Sequence, residues 1–192
     1  MKKIVTIAFL LIIASSMMLA QEKVTWQLEG AAGANVLYNN KAVAFGPTAH
    51  FGVDLLPIPQ LLVRASLQAG SCARTKNDPN WIYGKNYFKG GVTLDVGWDI
   101  INTFNKNYRG TYHVQPYIRY QNIIASGNKN AKMVYSLGAG LRQTVDMTER
   151  VSLLIDCAGV VTDEYAWTHK TGIVGFAQVF VGVAYKLQNK KR

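Results

Sequence analysis

Cysteine is nearly absent: Cys72 and Cys157 are the only two in 192 residues. They form no C-x-x-C pair and have no zinc-ligand spacing, so the pattern supports neither a disulfide-built scaffold nor a structural zinc site. Acid is also scarce, with 11 Asp and Glu against 21 Lys and Arg, a formal net charge of +10. The basic excess is dispersed. Lys2 and Lys3 open the chain, and Lys186, Lys190, Lys191 and Arg192 sit in its tail. What remains forms no basic stripe beside aromatics, which argues against a nucleic-acid partner and favours phosphate-rich lipid headgroups. Helical 3.6-residue periodicity is weak everywhere, and beyond the first twenty residues no stretch is long and apolar enough for a membrane helix. There is no linker, low-complexity segment or internal composition shift, so the chain reads as one domain. No G-x-S-x-G, His-x-Ser, phosphate-loop or metal-ligand spacing occurs. No cofactor is expected and the chain does not read as an enzyme.

The opening residues, "MKKIVTIAFLLIIASSMMLAQ", combine a charged start, an apolar run over residues 4–13 and a small-residue end. This is the pattern of a secretory signal over residues 1–20, leaving residues 21–192 as the mature chain. The competing reading, a transmembrane anchor, would need a longer apolar run.

Strict two-residue alternation fills most of the rest. In "TYHVQPYIRYQ" (residues 111–121), Tyr112, Val114, Pro116, Ile118 and Tyr120 alternate with His113, Gln115, Arg119 and Gln121, with Tyr117 intermediate. Such alternation means a strand with two unlike faces. Eight such strands are expected, at residues 24–38, 43–55, 61–72, 87–100, 111–121, 132–145, 150–161 and 173–187. Turns or loops fall at "PIPQ", "ARTKNDPNWIYGKN", "NTFNKNYRG", "ASGNKN", "DMTE" and "TDEYAWTHKTG".

A soluble sandwich would bury the apolar face; a membrane barrel would turn it to lipid. Three features favour the barrel. Charges recur mid-strand on the polar face: Glu29, Arg64, Asp95, Arg119, Arg142 and Asp156. Gly, Ala and Ser between them suit a narrow filled interior. Aromatics on the apolar face gather toward strand ends, with Trp26, Trp98, Tyr112 and Tyr185 at one rim and Tyr38, Phe45, Phe88, Tyr120 and Tyr135 at the other, as two interfacial girdles would require. The expected fold is therefore all-β, an eight-stranded antiparallel up-and-down transmembrane β-barrel. Parity sends Cys72 inward and Cys157 outward, so no bond between them is expected. His50 and His113 read as lumen-facing and His169 as a loop residue, which assembles no His–Ser–acid site at a rim.

"HVQPYIRYQNI", "YSLGAGLRQTVDMTERVSLLIDCAGVV" and "FAQVFVGVAYKL" resemble the N-terminal barrel of OmpA-like outer-membrane proteins of Bacteroidetes-type bacteria. "AFGPTAHFGVDLLPIPQLLVRASLQAG" is similar to the second hairpin of that family. The resemblance implies residence in the outer membrane of a Gram-negative envelope, contact with outer-membrane lipid and lipopolysaccharide, and insertion by barrel-assembly machinery. The family's peptidoglycan-gripping domain has no counterpart in "QNKKR", so cell-wall tethering does not carry over. A structural or surface role through outer loops follows, with Trp81, Tyr83, Tyr165 and Trp167 as partner-contact candidates and the six charges closing the lumen. The alternative is a barrel that modifies lipid or binds a small ligand.

Overall fold

The computed structural model describes residues 24–39, 42–75, 82, 83, 85–105, 110–127, 130–168 and 172–187. The signal segment, Trp81 and His169 lie outside the described residues. The eight strands are β1 (Thr25–Asn39), β2 (Ala42–Ile58), β3 (Leu61–Arg74), β4 (Asn86–Trp98), β5 (Tyr112–Gly127), β6 (Asn130–Asp146), β7 (Val151–Asp163) and β8 (Ile173–Leu187). Each pairs antiparallel with its sequence neighbour, and β8 returns to β1 from Trp26↔Leu187 to Tyr38↔Gly175. The barrel is closed and has no open edge to template aggregation.

The alternation sets the two faces. Phe51, Leu67, Ile118, Leu137, Val161 and Val181 stand outside, and Gln27, Glu29, Asp54, Arg64, Asp95 and Asp156 stand inside and buried. Strands of 13 to 17 residues exceed the roughly 9–11 that a tilted strand needs to cross a bilayer. The fifth and sixth strands are longer than the alternation suggested. They swallow most of "ASGNKN", so β5 ends at Gly127 and β6 starts at Asn130. Likewise only residues 40 and 41 separate β1 from β2. The loops read from the sequence are therefore shorter than their polar residues implied, because backbone pairing persists through polar residues toward the hairpin tips.

Two connections carry short helices that periodicity cannot reveal at such length. Helix α1 (Ile100–Phe104) follows β4, and α2 (Tyr165–Thr168) lies between β7 and β8. Asp99 caps α1, its Oδ1 accepting from the Asn102 N–H at 3.1 Å.

Three prolines mark interruptions in the ladders. The β2–β3 pairing skips from Phe45↔Ala73 to Thr48↔Gly70 around Pro47, and shifts register between Leu55 and Ile58 around Pro57. The β4–β5 ladder ends at Gly97↔Tyr117, one step before Pro116. A proline has no N–H to give a ladder, so pairing stops or slips there.

Candidate functional site: the filled lumen

Inward side chains form three layers, from the end that carries the chain termini (the turn side) to the opposite end (the loop side). All six charges expected inside occupy the middle layer. Arg64 is fully buried; its Nε donates to Asp95 Oδ2 at 2.6 Å, its Nη1 to Glu29 Oε1 at 3.1 Å and its Nη2 to Asp156 Oδ2 at 2.8 Å. Arg119 donates through Nε to Asp95 Oδ1 at 2.9 Å, and through Nη2 to Asp156 Oδ2 at 3.2 Å. Arg142 pairs with Asp54 Oδ2 at 2.7 Å and with Glu29 Oε2 at 3.0 Å. His50 Nε2 lies 3.0 Å from Glu29 Oε1.

Three guanidinium groups thus face four carboxylates, and Asp54 is the member that the six omit. Its place on the polar face of β2 is legible from parity alone. Several of these contacts are spokes across the barrel. Arg64 of β3 reaches Asp156 of β7, and Arg142 of β6 reaches Asp54 of β2, so neither pair lies on neighbouring strands.

Tyr117, the ambiguous residue of the alternation, turns inward. Its hydroxyl donates to Asp156 Oδ1, and the guanidinium carbons of Arg64 and Arg119 lie over its ring, 5.0 and 4.9 Å from the centroid. Two cation–π contacts of this kind hold both cations at fixed height. Room for the ring comes from glycine on both sides. Tyr117 is the ladder partner of Gly97 and of Gly140, and a Cβ on Gly140 would collide with the ring's Cζ and hydroxyl.

Above this layer runs a belt of neutral polar groups. Gln121 Nε2 donates to Gln68 Oε1 at 3.1 Å and to Gln178 Oε1 at 3.0 Å; Gln178 also accepts from Arg119 Nη1 at 3.0 Å. Cys72 Sγ donates to Asn35 Oδ1 at 2.9 Å. Lys89 lies with its Nζ 5.0 Å from the centroid of Phe176.

The loop-side third is unlike the rest. Its interior is apolar: Leu37, Ile123, Val134, Val160, Val174 and Phe176 pack into one cluster with Tyr83, Tyr87 and Trp167. Trp167 meets Tyr83, Tyr87 and Phe176 at centroid distances of 5.4, 5.7 and 5.2 Å, all near edge-to-face. This corrects the reading of Tyr83 and Trp167 as partner-contact residues. Both have no exposed surface, because their rings pack against each other and against Tyr87 and Phe176. Burial also pushes the Tyr83 phenol up to about 12. Tyr165 remains exposed, with Lys132 Nζ 5.5 Å from its ring centroid, and Trp81 lies outside the described residues.

The turn-side mouth is lined by charge. His113 Nδ1 is 2.8 Å from Asp99 Oδ2, and Asp146 Oδ2 accepts from Lys186 Nζ at 2.5 Å. Burial tends to raise the Asp99 carboxyl, but hydrogen bonds from His113 and from the Asn102 backbone hold it below its ordinary value of 3.8. Among the described residues no cluster of His, Cys, Asp and Glu is arranged to hold a metal.

On the outer wall, all nine girdle aromatics point outward and are exposed. Trp26, Trp98, Tyr112 and Tyr185 sit near turn-side strand ends, and Tyr38, Phe45 and Phe88 near loop-side ends. Tyr120 and Tyr135 sit further down the wall, because β5 and β6 run on beyond them. Cys72 is buried inside, Cys157 is exposed outside, and both are free thiols.

No protein-family profile matches the chain, and no curated protein does. Solved structures do. The neisserial surface protein A superposes with a TM-score of 0.65 at 12% identity, covering 86% of this chain and all of that one. The fold is that of an eight-stranded outer-membrane barrel. OprG of Pseudomonas aeruginosa aligns with a TM-score of 0.55 at 8% identity over 88% of this chain and 99% of its own. A major outer membrane protein of Thermus thermophilus aligns at 0.54 and 14% identity, over 86% of this chain and all of its own. At such identities the likeness concerns the path of the backbone.

Proposed function

We propose that this chain is a non-enzymatic barrel of the outer membrane, exported by its N-terminal signal, whose lumen is shut and whose work lies on its surface. The observation that carries this is the double closure of the interior. Spokes of buried arginine and carboxylate block the middle, and the Tyr83–Tyr87–Trp167–Phe176 cluster stops the loop-side end. An eight-stranded barrel has room for side chains or for little else, and here side chains fill its middle and loop-side thirds. The exposed apolar wall supports membrane residence, since Phe51, Leu67, Ile118 and Val181 in water would form an apolar patch far larger than soluble proteins tolerate. With the turn side facing the periplasm, the wall meets lipid, the outer rim meets lipopolysaccharide, and assembly machinery inserts the chain. Kinship with OmpA-like barrels belongs to the same proposal. Among the described residues, Tyr165 and Ile173 are exposed at the loop-side end and offer a surface for a partner.

Planar-bilayer recording of the refolded mature protein tests the closed lumen. Occasional flickers or silence are expected, whereas steady, large single-channel currents would reassign the protein as a pore. Slower or faster gel migration before boiling than after reports the folded barrel in the same sample.

A further inference from the structure

The lumen is not filled evenly. Charged spokes occupy its middle and mainly apolar side chains its loop-side third, but the turn-side third holds a half-open cavity of about 210 Å³. Taking roughly 30 Å³ per water, that is space for about seven waters. One wall is apolar, formed by Leu56, Pro59 and Leu62. The other walls are polar, and their bonding state separates into two kinds.

The charges lining the cavity are already matched. Asp99 faces His113 at 2.8 Å, Asp146 holds Lys186 at 2.5 Å, and Arg142 is held by Asp54 at 2.7 Å and Glu29 at 3.0 Å. The neutral groups are not. Among the described residues, the side chains of Gln27, Gln115 and Thr144 make no hydrogen bond, although all three are more than nine-tenths buried. Arg142, at 1% exposure, also keeps a buried Nε–H with no acceptor. Two carboxamides and one hydroxyl therefore converge from β1, β5 and β6 on one cavity with their capacity unspent, beside the buried guanidinium of Arg142.

A barrel that needed only filling would fill this third as it fills the other two. We infer that the cavity bounded by Gln27, Gln115, Arg142 and Thr144, opposite Leu56 and Leu62, is a binding site for a small uncharged polyhydroxylated molecule of monosaccharide size. The matched charges leave no counter-ion for a charged ligand, and burying one without a partner would be costly. The unspent donors and acceptors suit hydroxyls, which both give and accept, and the Leu56–Leu62 wall suits the C–H face of a sugar ring.

The test uses the complete mature barrel in lipid nanodiscs, titrated with D-glucose and followed by amide and side-chain NMR. The expected result is a saturable shift of the Gln27 and Gln115 side-chain NH₂ and of Arg142 Nε–H. Sodium glutamate and putrescine should give no saturable shift at these groups. Gln115→Leu and Thr144→Val should each weaken glucose binding roughly tenfold, the loss of about one hydrogen bond, while the folded-barrel spectrum is retained. Unchanged spectra with glucose would show a site for water only and overturn the inference. So would equal binding of the charged probes, or binding indifferent to the two substitutions. None of these outcomes depends on whether the barrel conducts.

Discussion

Replacing Arg142 by methionine should expose how the central charges are held. Arg142 supplies two acids, Asp54 at 2.7 Å and Glu29 at 3.0 Å. The two acids would fare differently. Glu29 keeps Arg64 at 3.1 Å and His50 at 3.0 Å. Asp54 has no other hydrogen-bond or ion-pair partner among the described residues, and it is fully buried. Abandoning one partner of a buried pair costs about 3–5 kcal/mol. The turn-side cavity brings water close to the substituted side chain and partly rehydrates Asp54, so the lower figure, about 3 kcal/mol, is expected. Methionine is unbranched and adaptable, which keeps the packing contribution small. A second substitution, Asp54→Asn, removes the stranded charge. The double variant should therefore be more stable than Arg142→Met alone, and the four-protein cycle should show a coupling of more than about 1 kcal/mol, as directly interacting residues do. Urea unfolding of the barrel refolded in lipid vesicles, read by tryptophan fluorescence, measures all four. A loss below about 1 kcal/mol for Arg142→Met, or no relief from Asp54→Asn, would refute the idea that these charges are dry and mutually dependent.

Ile118→Arg, at a wall position 70% exposed in mid-β5, should cost about 2–4 kcal/mol in vesicles, since it puts a charge into hydrocarbon; an unchanged urea midpoint would place that position away from lipid. A thiol reagent soluble in micelles should label Cys157 quickly and Cys72 only on unfolding, because one is outside the wall and the other inside it; equal rates by mass spectrometry would contradict the parity of β3 or β7. Asp99, held below its ordinary 3.8, contributes stability that is present above that value and is lost as pH falls through its depressed one. Asp99→Asn should therefore cost most stability at neutral pH and least in acid, which flattens the acid end of a stability-versus-pH curve; an unaltered acid limb would show that the His113–Asp99 contact carries no proton linkage.

The strand number and the inside/outside assignment were legible because a pleated strand allows only two faces and the charges are confined to one. Arg64, Asp95, Arg119, Arg142, Asp156 and Glu29 all meet in the lumen, and their parity put them on one face; parity cannot name partners, since the spokes join strands distant in sequence. Tyr117 was ambiguous because an aromatic with a hydroxyl suits either side, and only its two glycine neighbours across the ladders explain its inward turn. The loop-side third was illegible. There Ile123 and Ile124, or Val160 and Val161, are apolar on both faces, and the alternation that identifies a wall disappears. The burial of Tyr83 and Trp167 arises from their packing with each other and with Tyr87 and Phe176 of distant strands, which no local pattern records.

The spokes also constrain the order of assembly. Hydrogen-bond ladders between neighbouring strands can grow one hairpin at a time in an open sheet. Arg64 with Asp156, 92 residues apart, and Arg142 with Asp54, 88 residues apart, cannot meet until the first and last strands have joined. An unclosed sheet entering hydrocarbon would carry seven ionised side chains on its concave face; Arg64 and Arg119 could already meet Asp95 on the adjoining strand, but Glu29, Asp54, Asp156 and Arg142 would lack the arginine–carboxylate mates they have in the finished molecule. Partial insertion is therefore disfavoured at every stage short of the last. Ring closure becomes the step at which the molecule commits, and water must leave the concave face at that moment and not before. Weakening the β1–β8 seam should slow appearance of the folded form far more than an equal number of lost ladder bonds elsewhere.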